Sequence, residues 1–254
     1  EMIVNYKEYG EGENVLIIAH GLFGSLDNWS TLGRRFAESR RVILVDQRNH
    51  GHSFHADEMN YTVMAQDFID LMDHLSIPEA QFIGHSMGGK TVMKMAMMAP
   101  ERISRMIVAD IAPKAYPPHH DLIFKAIHAL DLDNVHTRGE AEEVISHILQ
   151  DRGTLLFLLK NLYWKEKGQL AWRMNLPVIE AHMEDILDSV GLDTVMTPTL
   201  FIKGSESKYI QSEDEMPLHF QFPMGELLTM EGVGHWLHAE DPETFYALAE
   251  AFLD

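Results

Sequence analysis

The sequence predicts an α/β protein: a mostly parallel central sheet flanked by helices, with a helical segment inserted late in the order. Two observations lead there. Short apolar runs rich in Val, Ile and Phe alternate with segments of helical periodicity over the first 112 residues, as parallel strands joined by crossover helices do. From residue 113 to about 190 that alternation stops, only helical stripes follow, and strand-like runs then resume. The expected organisation is a core of residues 1–112 and 191–254 interrupted by a helical cap of residues 113–190.

Taken in order, Val15 to His20, Arg41 to Asp46, Ala80 to His85 and Arg105 to Asp110 read as four strands, each apolar enough to be covered on both faces. Between them, Tyr61, Ala65, Phe68, Met72 and Leu75 recur at helical intervals, and Met87 to Ala99 reads as a helix closed by Pro100. In the cap, Ile123, Ala126, Ile127 and Leu130 form one apolar stripe, and Val144, Ile145, Ile148 and Leu149 a second. Leu155 to Tyr163 is apolar nearly all round, and Leu155 to Leu162 is a candidate lining for an acyl pocket. Thr199 to Lys203 and Leu227 to Met230 resume the sheet, and a helix from about Pro242 to Leu253 closes it.

The 254 residues suffice for one large core, and 46% hydrophobic with 23% charged residues is an ordinary globular composition. Twenty Lys+Arg against 39 Asp+Glu give a formal charge of -19. That charge opposes the phosphate neutralisation that nucleic-acid binding needs, so nucleic acid is not an expected partner. The chain has no cysteine, which removes thiolate nucleophiles, disulfides and cysteine-ligated zinc. No stretch is long and apolar enough to span a membrane, and no basic-then-apolar leader opens the chain; the expected location is the cytoplasm.

The chemistry concentrates at strand ends. Gly84-His85-Ser86-Met87-Gly88 stands where a strand meets a helix, the setting in which a Gly-x-Ser-x-Gly run exposes a serine nucleophile on a tight turn. A serine hydroxyl needs a base in reach. His235, in Gly232-Val233-Gly234-His235-Trp236 after the last strand, is the candidate, because triads of this kind run nucleophile, acid, histidine in chain order. His238 reads as a surface or supporting residue. Two strand ends could supply the acid that orients the histidine: Asp110, after Ile107-Val108-Ala109, and Glu206, in Gly204-Ser205-Glu206-Ser207.

The backbone N–H groups of Leu22 and Met87 are the expected oxyanion donors. His50, His52 and His55 lack an accompanying carboxylate set, so no metal is expected. Asp46-x-Arg48-x-x-Gly51-x-Ser53 reads as a structural turn, and most of the sixteen methionines as core filling.

Together, His20-Gly21-Leu22-Phe23-Gly24-Ser25, Asp46-Gln47-Arg48-Asn49-His50-Gly51, Gly84-His85-Ser86-Met87-Gly88-Gly89-Lys90, Asp110-Ile111-Ala112-Pro113 and Gly234-His235-Trp236 resemble the YbfF-type bacterial esterases of the α/β-hydrolase superfamily. The similarity extends to Phe157-Leu158-Leu159-Lys160 and Trp172-Arg173-Met174-Asn175 in the cap. The resemblance implies an α/β-hydrolase fold and a cytosolic esterase that also takes acyl thioesters such as acyl-CoA. It further implies Ser86, Asp110 and His235 as triad, with Ser207 as an added hydrogen-bonding member. The chain departs from the family at Ser205-Glu206-Ser207-Lys208, where Gly-Asn-Ser-Pro is usual.

The expected function is therefore hydrolysis of a small acyl ester or thioester through an acyl-enzyme, with no cofactor. A lactonase, a C–C bond hydrolase and a haloperoxidase-like relative share the same triad, and a ligand sensor that retains it is the non-enzymatic alternative. Lys114, Lys125, Arg138, Arg152, Lys160, Lys165, Lys167 and Arg173 give the cap its positive charge.

Overall fold

The computed structural model describes residues 2–254. Its main sheet has the strands β1 (Tyr6–Tyr9), β2 (Val15–Ala19), β3 (Arg41–Val45), β4 (Ala80–His85), β5 (Ile103–Ala109), β8 (Thr199–Gly204) and β9 (Gly225–Met230). Their spatial order is β1-β3-β2-β4-β5-β8-β9, parallel throughout except for β1. The sequence did not announce β1. It reads Tyr-Lys-Glu-Tyr, pairs antiparallel with β3 at the sheet edge, and is only partly buried. An edge strand needs no long apolar run and is safer without one.

The apolar strands are double-faced, as their composition requires. On one face Leu16, Ile18, Val42, Leu44, Ile83 and Ile202 pack under Trp29, Phe36 and Phe245, which come from the turn before α1 (Ser30–Phe36), from α1 itself and from the last helix, Pro242–Leu253. On the other, Ile17, Ile43, Phe82, Met106 and Val108 pack under α2 (Tyr61–His74) and α3 (Met87–Met98). Met93 and Met95 of α3 are fully buried in this layer, where an unbranched thioether fills gaps between sheet and helix.

Between β5 and β8 the chain builds α4 (Asp121–Ala129), α5 (Arg138–Ser146), α6 (Arg152–Leu159), α7 (Leu176–Ala181) and α8 (Met183–Leu187). The segment is not purely helical, which corrects the sequence expectation. α6 stops at Leu159, and Leu162–Glu166 (β6) pairs antiparallel with Gln169–Trp172 (β7). Two features explain this. Asn161 turns its side-chain amide onto the carbonyls of Leu158 (3.2 Å) and Phe23 (2.8 Å), ending the helix. Gly168, at φ 78°, supplies the left-handed residue that the hairpin turn needs. No helix among the described residues is long and apolar enough to cross a membrane.

Candidate active site

β4 and β5 are in register, His85 beside Ala109, so the next residue of each strand, Ser86 and Asp110, emerges at the same sheet edge. Both then take positive φ, 54° in each case. For a non-glycine residue that is a strained backbone, costing about 1–3 kcal/mol, and it persists only where the surroundings enforce it.

At Ser86 the enforcement comes from close approach. A Cβ on Gly84 would lie 2.5 Å from the Gly88 carbonyl oxygen, and one on Gly88 would lie 2.5 Å from that of His20. Only glycine lets β4, α3 and the end of β2 meet so tightly. Ser86 is thereby lifted onto the N-cap of α3.

Its hydroxyl lies 2.9 Å from Nε2 of His235, and His235 Nδ1 lies 2.6 Å from Asp110 Oδ2. Asp110 is completely buried. A bare carboxylate there would be costly, but Oδ2 also accepts from Ser207 Oγ (2.5 Å) and Oδ1 from the Gly204 N–H (3.1 Å), so the charge is held by three donors. Between the two acids left open by the sequence, the geometry separates them: Glu206 is exposed and only its backbone N–H is engaged, by Val233 O (2.9 Å).

His85 Nε2–H donates to the His235 carbonyl (2.8 Å) and pins the loop that carries the imidazole. His85 stays neutral because burial, reinforced by His238 and His235, holds its pKa well below the ordinary value. His238 is not a surface residue, as the sequence suggested as one option. It is buried, stacked on Trp29 at 4.1 Å, with burial lowering its pKa to about 3.

The loop after β2 carries Leu22, whose amide makes no hydrogen bond within the described residues. Met87 is the first residue of α3, where the helix leaves amides unsatisfied. Two neutral histidines hold this loop. His20 Nε2 accepts the Gln47 N–H (2.9 Å), and His50 Nε2 accepts the Phe23 N–H (3.1 Å). Asp46 takes the N–H groups of Leu26 (2.8 Å) and His52 (2.9 Å) and the Asn5 amide (2.9 Å), which is the structural turn expected there. His50, His52 and His55 do not converge: His55 Nε2 instead faces the Arg173 carbonyl at 3.1 Å.

A polar cleft of 480 Å³ lies beside Asp46, Lys160 and Arg173 and does not reach Ser86. The cavity over Ser86 measures 270 Å³ and is bordered by His235, Trp236, Phe157, Leu158 and Ile123. A smaller one, 30 Å³, opens on the other side of Ser86 beside Met87, Ile111 and Tyr116.

Sequence reasoning missed Tyr209, whose ring stacks on His235 at 4.0 Å. It also missed His119, whose Nδ1–H donates to Pro117 O (2.8 Å) while Nε2 accepts the Tyr209 hydroxyl (2.5 Å). Burial pushes the Tyr209 phenol up to about 12 and His120 down to about 4. Both segments are irregular connections, so no periodicity marked them.

The sequence profile of the alpha/beta hydrolase fold matches residues 14–147. Esterase YbfF of Escherichia coli is 38% identical over 94% of this chain and 92% of its own. The sn-1-specific diacylglycerol lipase ABHD11 of Danio rerio is 35% identical over 96% of this chain and 80% of its own. Among solved structures, a marine microorganism esterase superposes with a TM-score of 0.96 at 37% identity, covering 99% of this chain and all of the other. The chain belongs to the α/β-hydrolase family, among the YbfF-type esterases.

Proposed function

We propose that the protein hydrolyses carboxylic esters, with Ser86 as nucleophile, His235 as general base and then general acid, and Asp110 as the acid that orients the imidazole. Ser86 Oγ attacks the carbonyl carbon while His235 Nε2 takes the hydroxyl proton. The carbonyl oxygen, now negative, is received by the amides of Leu22 and Met87. The C–O bond breaks as His235 returns its proton to the leaving oxygen. Water then repeats the sequence on the acyl-enzyme, releasing the acid and restoring the Ser86 hydroxyl. Asp110 keeps its charge throughout, and Ser207 and the Gly204 amide hold it in line. Residues 113–190 serve as the cap that shields this sequence from bulk water.

The observation that carries the reading is the unbroken path from Ser86 Oγ through His235 to a fully buried Asp110, opening beneath an apolar cavity. Acyl thioesters, acyl-CoA included, fall within the proposal through the same acyl-enzyme, the thiol leaving in place of the alcohol. Neutral esters are favoured, because five of the eight cap cations are engaged elsewhere. Lys114 pairs with Asp214 and Arg152 with Glu142, Arg138 donates to the Leu159 and Leu162 carbonyls, and Lys160 and Arg173 line the separate cleft.

Hydrolysis of p-nitrophenyl acetate by the native protein and by Ser86→Ala tests the proposal. A loss on the order of 10³-fold or more in kcat, with the circular-dichroism melt retained, is expected. Equal rates in the two would overturn it.

A further inference from the structure

Ser86 stands between two cavities of very different size, and the chemistry fixes which part of an ester each receives. Both are bordered by Ser86, Leu22, His119, His120 and Tyr209. Only the 270 Å³ cavity also touches His235 and Trp236; the 30 Å³ cavity touches Met87 instead.

On the serine-hydrolase reading above, the proton that His235 Nε2 takes from Ser86 must be handed to the leaving oxygen. The alcohol therefore has to leave on the His235 side, into the large cavity. The carbonyl oxygen faces the Leu22 and Met87 amides. The remaining substituent, the acyl chain, is left with the small cavity.

With 30 Å³ against 270 Å³, the small cavity leaves the acyl chain far less room than the alcohol has. Its walls are also fastened. Lys90 Nζ donates to the Asp188 carbonyl (2.6 Å), the Tyr61 hydroxyl to that of Ile186 (2.6 Å), and the Tyr116 N–H to that of Leu187 (2.8 Å). These bonds tie the return of the cap to α2, α3 and the chain after β5. Ile111, Ile186 and Tyr61 are each no more than 5% exposed, so these three walls are also held by packing.

We infer that the protein is selective for short acyl groups carried on larger apolar alcohols. The sequence expectation is thereby reversed: the apolar α6 face, through Phe157 and Leu158, serves the alcohol and not the acyl chain.

Hexyl acetate and ethyl hexanoate test this directly. They are isomers with the same ester bond, differing only in which side is long. Release of acid at constant pH should give a kcat/KM at least about tenfold higher for hexyl acetate, since each methylene without a place in a pocket costs about that factor or more. Leu187→Ala and, separately, Ile186→Ala should shift the ratio toward ethyl hexanoate, whereas Ile123→Trp, which fills the large cavity, should lower it by acting on hexyl acetate. Equal rates, or faster turnover of ethyl hexanoate, would overturn the assignment of cavities and leave the ester hydrolase standing. No turnover of either isomer, with Ser86→Ala indistinguishable from the native protein, would remove the hydrolase reading and this inference with it.

Discussion

Asp110 shows how neighbours fix one buried carboxylate in place. It ends β5, carries a strained φ of 54°, and is enclosed by donors from β8, the loop after it and the loop after β9. Replacing it by Asn keeps the shape but presents the wrong tautomer to His235. Asp110→Asn is expected to lower kcat for p-nitrophenyl acetate by about 10⁴-fold; Glu206→Gln should stay within about twofold, because a solvent-exposed carboxylate, unpaired among the described residues, contributes little. A comparable loss in Glu206→Gln would show that the acid has been assigned to the wrong strand end. The sequence brought both acids forward, through chain order and strand ends, but only the fold shows that one carboxylate is enclosed and the other points outward. Tyr209 and His119 were illegible for a related reason. Their pairing is fixed by two irregular segments 90 residues apart, and no local pattern encodes such a meeting.

At the level of elements, most boundaries followed from local physics. Ala80–His85 and Pro242–Leu253 lie where the apolar pattern and the capping residues put them. The β6–β7 hairpin did not, because its first strand continues an apolar run that also suits a helix, and the deciding signals are single residues, Asn161 and Gly168.

The loop after β2 has a pH-dependent weakness. His20 and His50 hold it by accepting N–H groups; a protonated imidazole is a donor at both nitrogens and cannot do so. Burial lowers the pKa of His20, and that of His50 to about 3, while His85 and His238 are lowered as well. The unfolded chain, with ordinary histidines near 6.5, binds more protons over the interval from about 6.5 down to about 3. Stability contributed by these groups is therefore fully present above 6.5 and is lost progressively as the pH falls, each group contributing up to about 1.4 kcal/mol per pH unit. Thermal melts are expected to drop between pH 7.5 and pH 5, and the slope to flatten in His50→Gln. A midpoint independent of pH over that range would show that the buried histidines are not held neutral.

Across the whole molecule, the sheet order brings four strand ends together: β4 supplies Ser86, β5 Asp110, β8 the Gly204 amide and β9 the loop of His235. The segment between β5 and β8 closes the opposite side and divides the space around Ser86 into a large and a small chamber. On the proposed mechanism Ser86, activated by His235, becomes covalently acylated. The most direct measurement is the intact mass of the protein after treatment with a fluorophosphonate, followed by peptide mapping. A single adduct on the peptide carrying Ser86, absent in Ser86→Ala and slowed in His235→Ala, is the expected result. An unmodified native protein, or an adduct that persists in Ser86→Ala, would contradict it.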